Sequence, residues 1–382
     1  MRERFPGIGT DWARFDGPAG TQMVDTAIDA ISDFLRSGDA ANGHGTFAAS
    51  TASTELIADA RRIVARLLGA DADGIVFGAN MTTLTFAFTR ALARTFSAGD
   101  EIVGTRLDHD ANVTPWQLAA NDAGAHLTLA PFDVDTGRLE PEAVFDLMSA
   151  GTRWVAVTGA SNALGTMPDL AAIVAGAHER GARVFVDGVH LVPHHPVDLV
   201  ALGCDAFATS PYKWYGPHSG ILWLSPDLRD TLRPYKVRPA PDTAPERWET
   251  GTASFEGVAG IAAAATFLLE SDMATIAASE RAVFAPLLDG LQAFPHVVVH
   301  GPTDLDARTP TVSFSVAGHH PDAVAAHLAG HQVAVWSGSY YAVETMAALG
   351  LTETGAIRAG VSCYTSETDV DRFLAALTTL AP

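Results

Sequence analysis

The chain has 382 residues, 48% of them hydrophobic, enough to bury a large core and to form one big domain with a smaller companion. Its formal net charge of −20 excludes a broad basic surface, and with it attachment to nucleic acid or to an anionic membrane by that route. No apolar run is long enough to span a bilayer, Met1 to Pro6 lack the apolar centre of a signal peptide, and two cysteines make neither a disulfide framework nor a paired-cysteine zinc site. The expected location is the cytoplasm.

Apolar positions Met23, Val24, Ala27, Ile28, Ile31, Phe34 and Leu35 recur at helical spacing, as do Leu56, Ile63, Val64, Leu67 and Leu68. Seven short β-rich runs then alternate with helical stretches, at 75–77, 101–105, 126–129, 154–158, 184–187, 206–210 and 221–224. The alternation predicts an α/β fold with a mostly parallel seven-stranded sheet covered by helices on both faces. The stretch from Pro234 to Pro245 reads as an outward loop. Beyond Gly257 come an Ala-rich helix through Glu270, a second from Glu280 to Phe294, strands near Val297, Val312 and 357–362, and a closing helix over 367–380. We expect a large domain over 17–256 and a smaller α+β domain over 257–382 joined by residues 1–16.

Cation usage is skewed: of 24 basic residues only Lys213 and Lys236 are lysine. Arginine practically never loses its charge, whereas a lysine in a desolvated site can become a nucleophilic amine, as Schiff-base chemistry requires. Lys213 follows a predicted strand, and Asp187 ends the one before it in VFVDGVH (184–190). A carboxylate at the end of an apolar strand is costly to bury unless it meets a cation. The protonated pyridine nitrogen of pyridoxal 5′-phosphate (PLP) is such a cation, and the carboxyl-terminal edge of an open α/β sheet is where ligands bind.

These segments, with DGPAG (16–20), GANMTT (78–83), LDHDAN (107–112), ASNALG (160–165), SPYKWYG (210–216) and AIRAG (356–360), resemble the class V aminotransferase family, and within it the cysteine desulfurase-like branch that includes selenocysteine lyases. The resemblance implies fold type I of the PLP enzymes and a homodimer with shared active sites. It further implies that Lys213 holds the cofactor as a Schiff base and then moves the Cα proton. Asp187 would pair with the pyridinium, His109 would stack on the ring, and His190 would approach the phenolic oxygen where many relatives carry Gln. Asn162 would contact the cofactor's oxygen or the substrate carboxylate, and Arg358 would clamp that carboxylate. Thr82 and Thr83, at a predicted helix N-terminus, would supply phosphate donors with Ser210 and Tyr212, and Thr252, in ETGT (249–252), would complete the partner's phosphate site.

One element departs from the pattern. Cysteine desulfurases carry a nucleophilic cysteine on a C-terminal loop, and VAVWSGSYYA (333–342) aligns Tyr341 with it, while Trp336 replaces a loop arginine. Cys363 falls where the family does not use a thiol. The expectation is therefore β-elimination from cysteine or a cysteine S-conjugate without an enzyme persulfide, with Trp336, Tyr340 and Tyr341 forming an aromatic wall for a substrate larger than cysteine. Aminotransfer, epimerisation and decarboxylation are alternatives that the same residues support, and a scaffold without catalysis is the alternative of another class. His190, His194 and His195 lack a second ligand cluster, so no metal is expected.

Overall fold

The computed structural model describes residues 1–9, 11–38 and 40–380. A two-residue strand, β1 (Ala13–Arg14), and helices Asp25–Arg36 and Ala48–Leu68 precede the central sheet. Its strands are β2 (Ile75–Gly78), β3 (Glu101–Thr105), β4 (His126–Ala130), β5 (Thr152–Thr158), β6 (Arg183–Asp187), β7 (Ala206–Thr209) and β8 (Gly220–Leu224), in the spatial order β2-β8-β7-β6-β5-β3-β4. All run in one direction except β8, which pairs antiparallel with both β7 and β2. The seven runs expected from sequence are these strands.

Both faces of the sheet are buried, and side-chain alternation divides them into two cores. Val155, Val157, Val184, Val186 and Phe207 face one layer, which includes Val64 and Leu68 of Ala48–Leu68 and Ile173 of Leu170–Glu179. Trp154, Phe185, Ala208 and Leu222 face the other, against Phe88 of Met81–Ala93 and Trp116 of Thr114–Ala123.

The smaller unit is a four-stranded antiparallel sheet of β9 (Val297–His300), β10 (Thr311–Val316), β12 (Trp336–Gly338) and β13 (Ala356–Gly360), ordered β12-β13-β10-β9. Between them β11 (Val333–Ala334) pairs with β1. Phe284, Leu288, Phe314 and Phe373 fill this core together with Ala13 and Phe15.

The boundary expected at 256/257 moves. Helix Phe255–Ser271 packs against Asp25–Arg36 and Ala48–Leu68, and its Val258, Ile261, Ala265 and Leu268 belong to the large core. The axis turns by 78° at Asp272 before helix Met273–Ala293, which begins seven residues ahead of the expected Glu280. Residues 1–16 are likewise divided, because Phe5 packs edge-on against Tyr215 at 5.2 Å in the large core while Ala13 and Phe15 join the small one. Among the described residues, no single helix is long and apolar enough to cross a membrane.

Candidate active site

The ends of β6 and β7 lie side by side, Asp187 in register with Ala208, so the turns beyond the two strands meet at one sheet edge. After β6 the chain must turn at once. A Cβ on Gly188 would stand 1.8 Å from the Phe207 ring, so glycine at that position lets Asp187 end the strand against β7. After β7 a 3-10 turn, Pro211–Lys213, brings Lys213 back over the edge.

Lys213 is 8% exposed and donates to the carbonyl of Pro18. Burial pushes its pKa well below the usual lysine range and the nearby Arg358 pushes the same way, with Asp187 opposing both. Asp187 is 4% exposed, and one carboxylate oxygen accepts from the Val189 N–H at 2.9 Å. Burial lifts its pKa to about 6, against the pull of that N–H and of Lys213. Lys236, the other lysine, lies on the 232–245 loop bonded to Asp242 at 3.0 Å and to the Ala240 carbonyl at 2.8 Å.

Lys213 and Asp187 line a narrow slot of about 50 Å³ together with Thr82, Asn162, His190 and Ser210. His109, Tyr212 and Lys213 also border a wide outer cavity of about 770 Å³, which Arg358, Trp336, Tyr340 and Tyr341 close from the small unit. The Nδ1 of His109 accepts from the Ala111 N–H at 3.0 Å, and its ring lies 5.5 Å from that of Tyr341 at 26°. Burial, with Lys213 and Arg358 nearby, holds its pKa down at about 4, so the imidazole is neutral near pH 7. Beneath it, buried Asp108 accepts from Thr105 and, at 2.7 Å, from Asn112, whose own oxygen accepts from Trp116 Nε1 at 3.0 Å.

Three buried polar atoms have no hydrogen-bond partner: Asn162 Oδ1 and His190 Nδ1 at the slot, and Arg358 Nε at the cavity. Their other atoms are pinned. His190 Nε2 bonds the Thr311 hydroxyl at 2.9 Å, Asn162 Nδ2 donates to the Tyr340 carbonyl at 2.9 Å, and Arg358 donates to the Asn162 carbonyl at 2.9 Å. The Arg358 guanidinium also lies 4.4 Å from the Tyr340 ring centre. Burial brings its pKa down to about 10, which leaves it a cation at neutral pH. Buried polar groups are nearly always bonded, so two unspent atoms at the slot and a third at the adjoining cavity describe a polar occupant.

Two expected site residues do not face either space. Thr83 donates its hydroxyl to the Asn80 carbonyl at 2.9 Å and its N–H to Asn80 Oδ1 at 2.8 Å, which makes it part of the helix cap. Thr82, one residue earlier round the same turn, lines both spaces. Thr252 is exposed and apart from both, on a segment anchored by Glu249, which takes a two-pronged bond from Arg61 at 2.7 and 3.0 Å and a third from the Phe77 N–H at 2.8 Å. Tyr212 stacks on His218 at 5.1 Å and 10° while bordering the slot.

Neither cysteine lines the cavity or the slot. Burial pushes both thiols well up from their ordinary pKa, and the Cys363 N–H donates to the Tyr215 hydroxyl at 3.3 Å. His194 faces inward, paired with the buried Glu280 at 2.7 Å. Among the described residues, no group of His, Cys, Asp and Glu is arranged to hold a metal ion.

The profile described as Aminotransferase class-V matches residues 14–373. The chain is a class-V aminotransferase family member. A cysteine desulfurase of Klebsiella pneumoniae is 33% identical over 402 residues, covering 99% of this chain and 96% of that protein. The apo structure of a cysteine desulfurase from Thermococcus onnurineus superposes with a TM-score of 0.93 at 29% identity, covering 99% of this chain and 96% of that one. A C-DES variant with glycine covalently linked to its PLP cofactor shares the fold at a TM-score of 0.86 and 22% identity, over 100% of both chains. This class-V family member is accordingly a PLP-dependent enzyme with the fold of the type I PLP enzymes. The slot's residues fit the chemistry of that cofactor: a low-pKa amine and a buried carboxylate at one sheet edge, with unspent polar atoms of Asn162 and His190 lining the same slot.

Sequence reasoning missed Thr311, Asp108 and the backbone carbonyl of Pro18. Pro18 lies in the DGPAG segment where the resemblance begins, but a carbonyl leaves no mark in the side-chain pattern. Nothing near residue 311 announces a partner for a histidine more than a hundred residues away.

Proposed function

We propose that this enzyme cleaves the C–S bond of cysteine or a cysteine S-conjugate by β-elimination, releasing the sulfur as sulfide or thiol without passing it to an enzyme thiol. What supports the reading is one observation: Lys213 borders both the slot that Asp187 lines and the cavity that Arg358 lines, and neither cysteine of the chain contributes to either. The relatives' name supplies the substrate class, and the raised thiol pKa values of buried Cys204 and half-buried Cys363 argue against either as a sulfur acceptor.

When bound, PLP acts as an electron sink for the pair left at Cα. The chain's residues do the rest. Arg358 takes the substrate carboxylate and thereby fixes the direction of the Cα–H bond. Lys213 anchors the cofactor, and its amine, neutral because it is buried, removes the Cα proton. Asp187 would offer its negative charge to the ring nitrogen, neutral His109 would support the ring's face, and Asn162 and His190 would hold the phenolic oxygen. Thr82, Ser210 and Tyr212 would supply phosphate donors. The electron pair from the broken Cα–H bond forms the Cα–Cβ double bond as sulfur leaves Cβ. Water then completes the balance, one S-conjugate and one water giving pyruvate, ammonia and a thiol.

In this reading the working unit is a pair of chains, with Thr252 of each completing the other's phosphate site. The exposure of Thr252, away from its own cavity, is what a donated residue requires. The test is an assay of purified holoenzyme with cysteine, S-methylcysteine, and alanine plus a keto acid. Pyruvate with stoichiometric methanethiol is the expected result. Amino transfer, racemisation or carbon dioxide release with no thiol overturns it, and sedimentation as a single chain overturns the pairing.

A further inference from the structure

A cofactor held at the slot and the inner end of the cavity leaves the rest of the cavity unaccounted for. At about 770 Å³ it is larger than a ring cofactor and a cysteine would fill. Phe86, Pro115, Trp336 and Tyr341 are among its lining residues, and its basic side chains, Lys213 and Arg358, lie deep, 8% and 4% exposed. Trp336 and Tyr341 are 53% and 70% exposed, so these rings face whatever enters.

Among the cavity's lining residues the only carboxylate is Asp110, immediately after His109. Its two oxygens share one donor, the Thr114 hydroxyl, at 3.0 and 2.9 Å. That hydroxyl has a single proton, and a carboxylate has room for about four donors, so most of Asp110's acceptor capacity is unspent. The Asp110 N–H donates to the Tyr341 carbonyl at 2.7 Å, which ties this acid to the aromatic loop. The bond to Thr114 orients the side chain at the start of helix Thr114–Ala123 and uses none of that remaining capacity.

A carboxylate beside exposed aromatic faces attracts a cation through both its charge and the rings' quadrupoles. We propose that Asp110, with Trp336 and Tyr341, selects cysteine S-conjugates whose sulfur substituent ends in an ammonium group. The inference rests on the lyase reading for the same cavity and names the half of the substrate that reading leaves open. Arg358 takes the carboxylate at one end of the molecule, and Asp110 takes the amine at the other.

The test compares S-(2-aminoethyl)-L-cysteine with S-propyl-L-cysteine, near-isosteres that differ in the terminal charge, on holoenzyme and on Asp110→Asn. The unaltered enzyme is expected to favour the amine about tenfold in kcat/KM, with the difference carried by KM. Asp110→Asn should bring that ratio near one, Asp110→Glu should restore part of it, and Trp336→Leu, at an exposed position, should lower it several-fold. No preference in the unaltered enzyme, or a full preference kept by Asp110→Asn, overturns the proposal. If neither compound yields pyruvate, the lyase reading fails on its own. The ratio of dissociation constants, read by titrating the cofactor's visible band in the same proteins, then decides the role of Asp110.

Discussion

The slot and the mouth of this cavity are built by opposite means. Slot residues stand at strand ends and in the turns beyond, where the sheet has already set the backbone: Asp187 closes β6, and Lys213 sits one turn past β7. The mouth is a loop from β12 in which Tyr340 and Tyr341 adopt positive φ, at 54° and 59°, a conformation costing a non-glycine residue about 1–2 kcal/mol each. One region spends burial to perturb ionisation; the other spends backbone strain to aim aromatic rings. In the proposed reading the chemistry resides in the strand-end part, and selection among substrates in the strained, exposed loop.

The sharpest test of that division is Lys213→Ala, expected to abolish the borohydride-reducible visible band and to lower elimination by about 10⁴-fold or more, read as pyruvate release. Next is Asp187→Asn, which should cost about 10²–10³ in rate, read in the same assay, while stabilising the cofactor-free protein. Burial sets the sign of that second effect. A folded pKa of about 6 against the ordinary 3.8 means that between those values the folded chain holds a proton the unfolded chain has lost. Stability thus falls as pH rises through that window, and the deficit at pH 7.5 is about 3 kcal/mol. Urea unfolding should show most of that gain for Asp187→Asn at pH 7.5 and little of it at pH 4.

Arg358→Lys keeps the charge but loses the two-pronged geometry, so KM should rise about 10- to 100-fold with a smaller change in kcat. At the mouth the stability effects shrink. Tyr341→Asn, which tolerates positive φ and removes an exposed ring, should change stability by less than about 1 kcal/mol in urea while altering KM for S-conjugates. Smallest is Cys363→Ser, expected to leave the rate within about twofold; a collapse of sulfide release would show that a thiol takes part and break the contrast between slot and mouth.

The division also explains what could be read in advance. Lys213 and Asp187 were legible because the chemistry demands those residue types at successive strand ends, and strand ends follow from the hydrophobic pattern. Thr82 and Thr83 were not separable, since adjacent residues on a helix point to different sides and only the observed cap tells which faces the cavity. The domain boundary was misplaced because Phe255–Ser271 is apolar enough to join either core, and packing against two distant helices decides which. Asp110 sits in a motif already singled out, yet its unspent acceptors are visible only once Thr114 is seen to be its side chain's single donor there.

The scarcity of lysine has a practical side. Of the two ε-amines, one is enclosed in the slot and the other rides on the 232–245 loop beside Asp242. A reagent selective for lysine ε-amines over the N-terminal amine consequently meets one handle outside the slot, Lys236, partly buried beside Asp242. Attachment there would hold every molecule by the same loop, so immobilised enzyme should behave as a single oriented population.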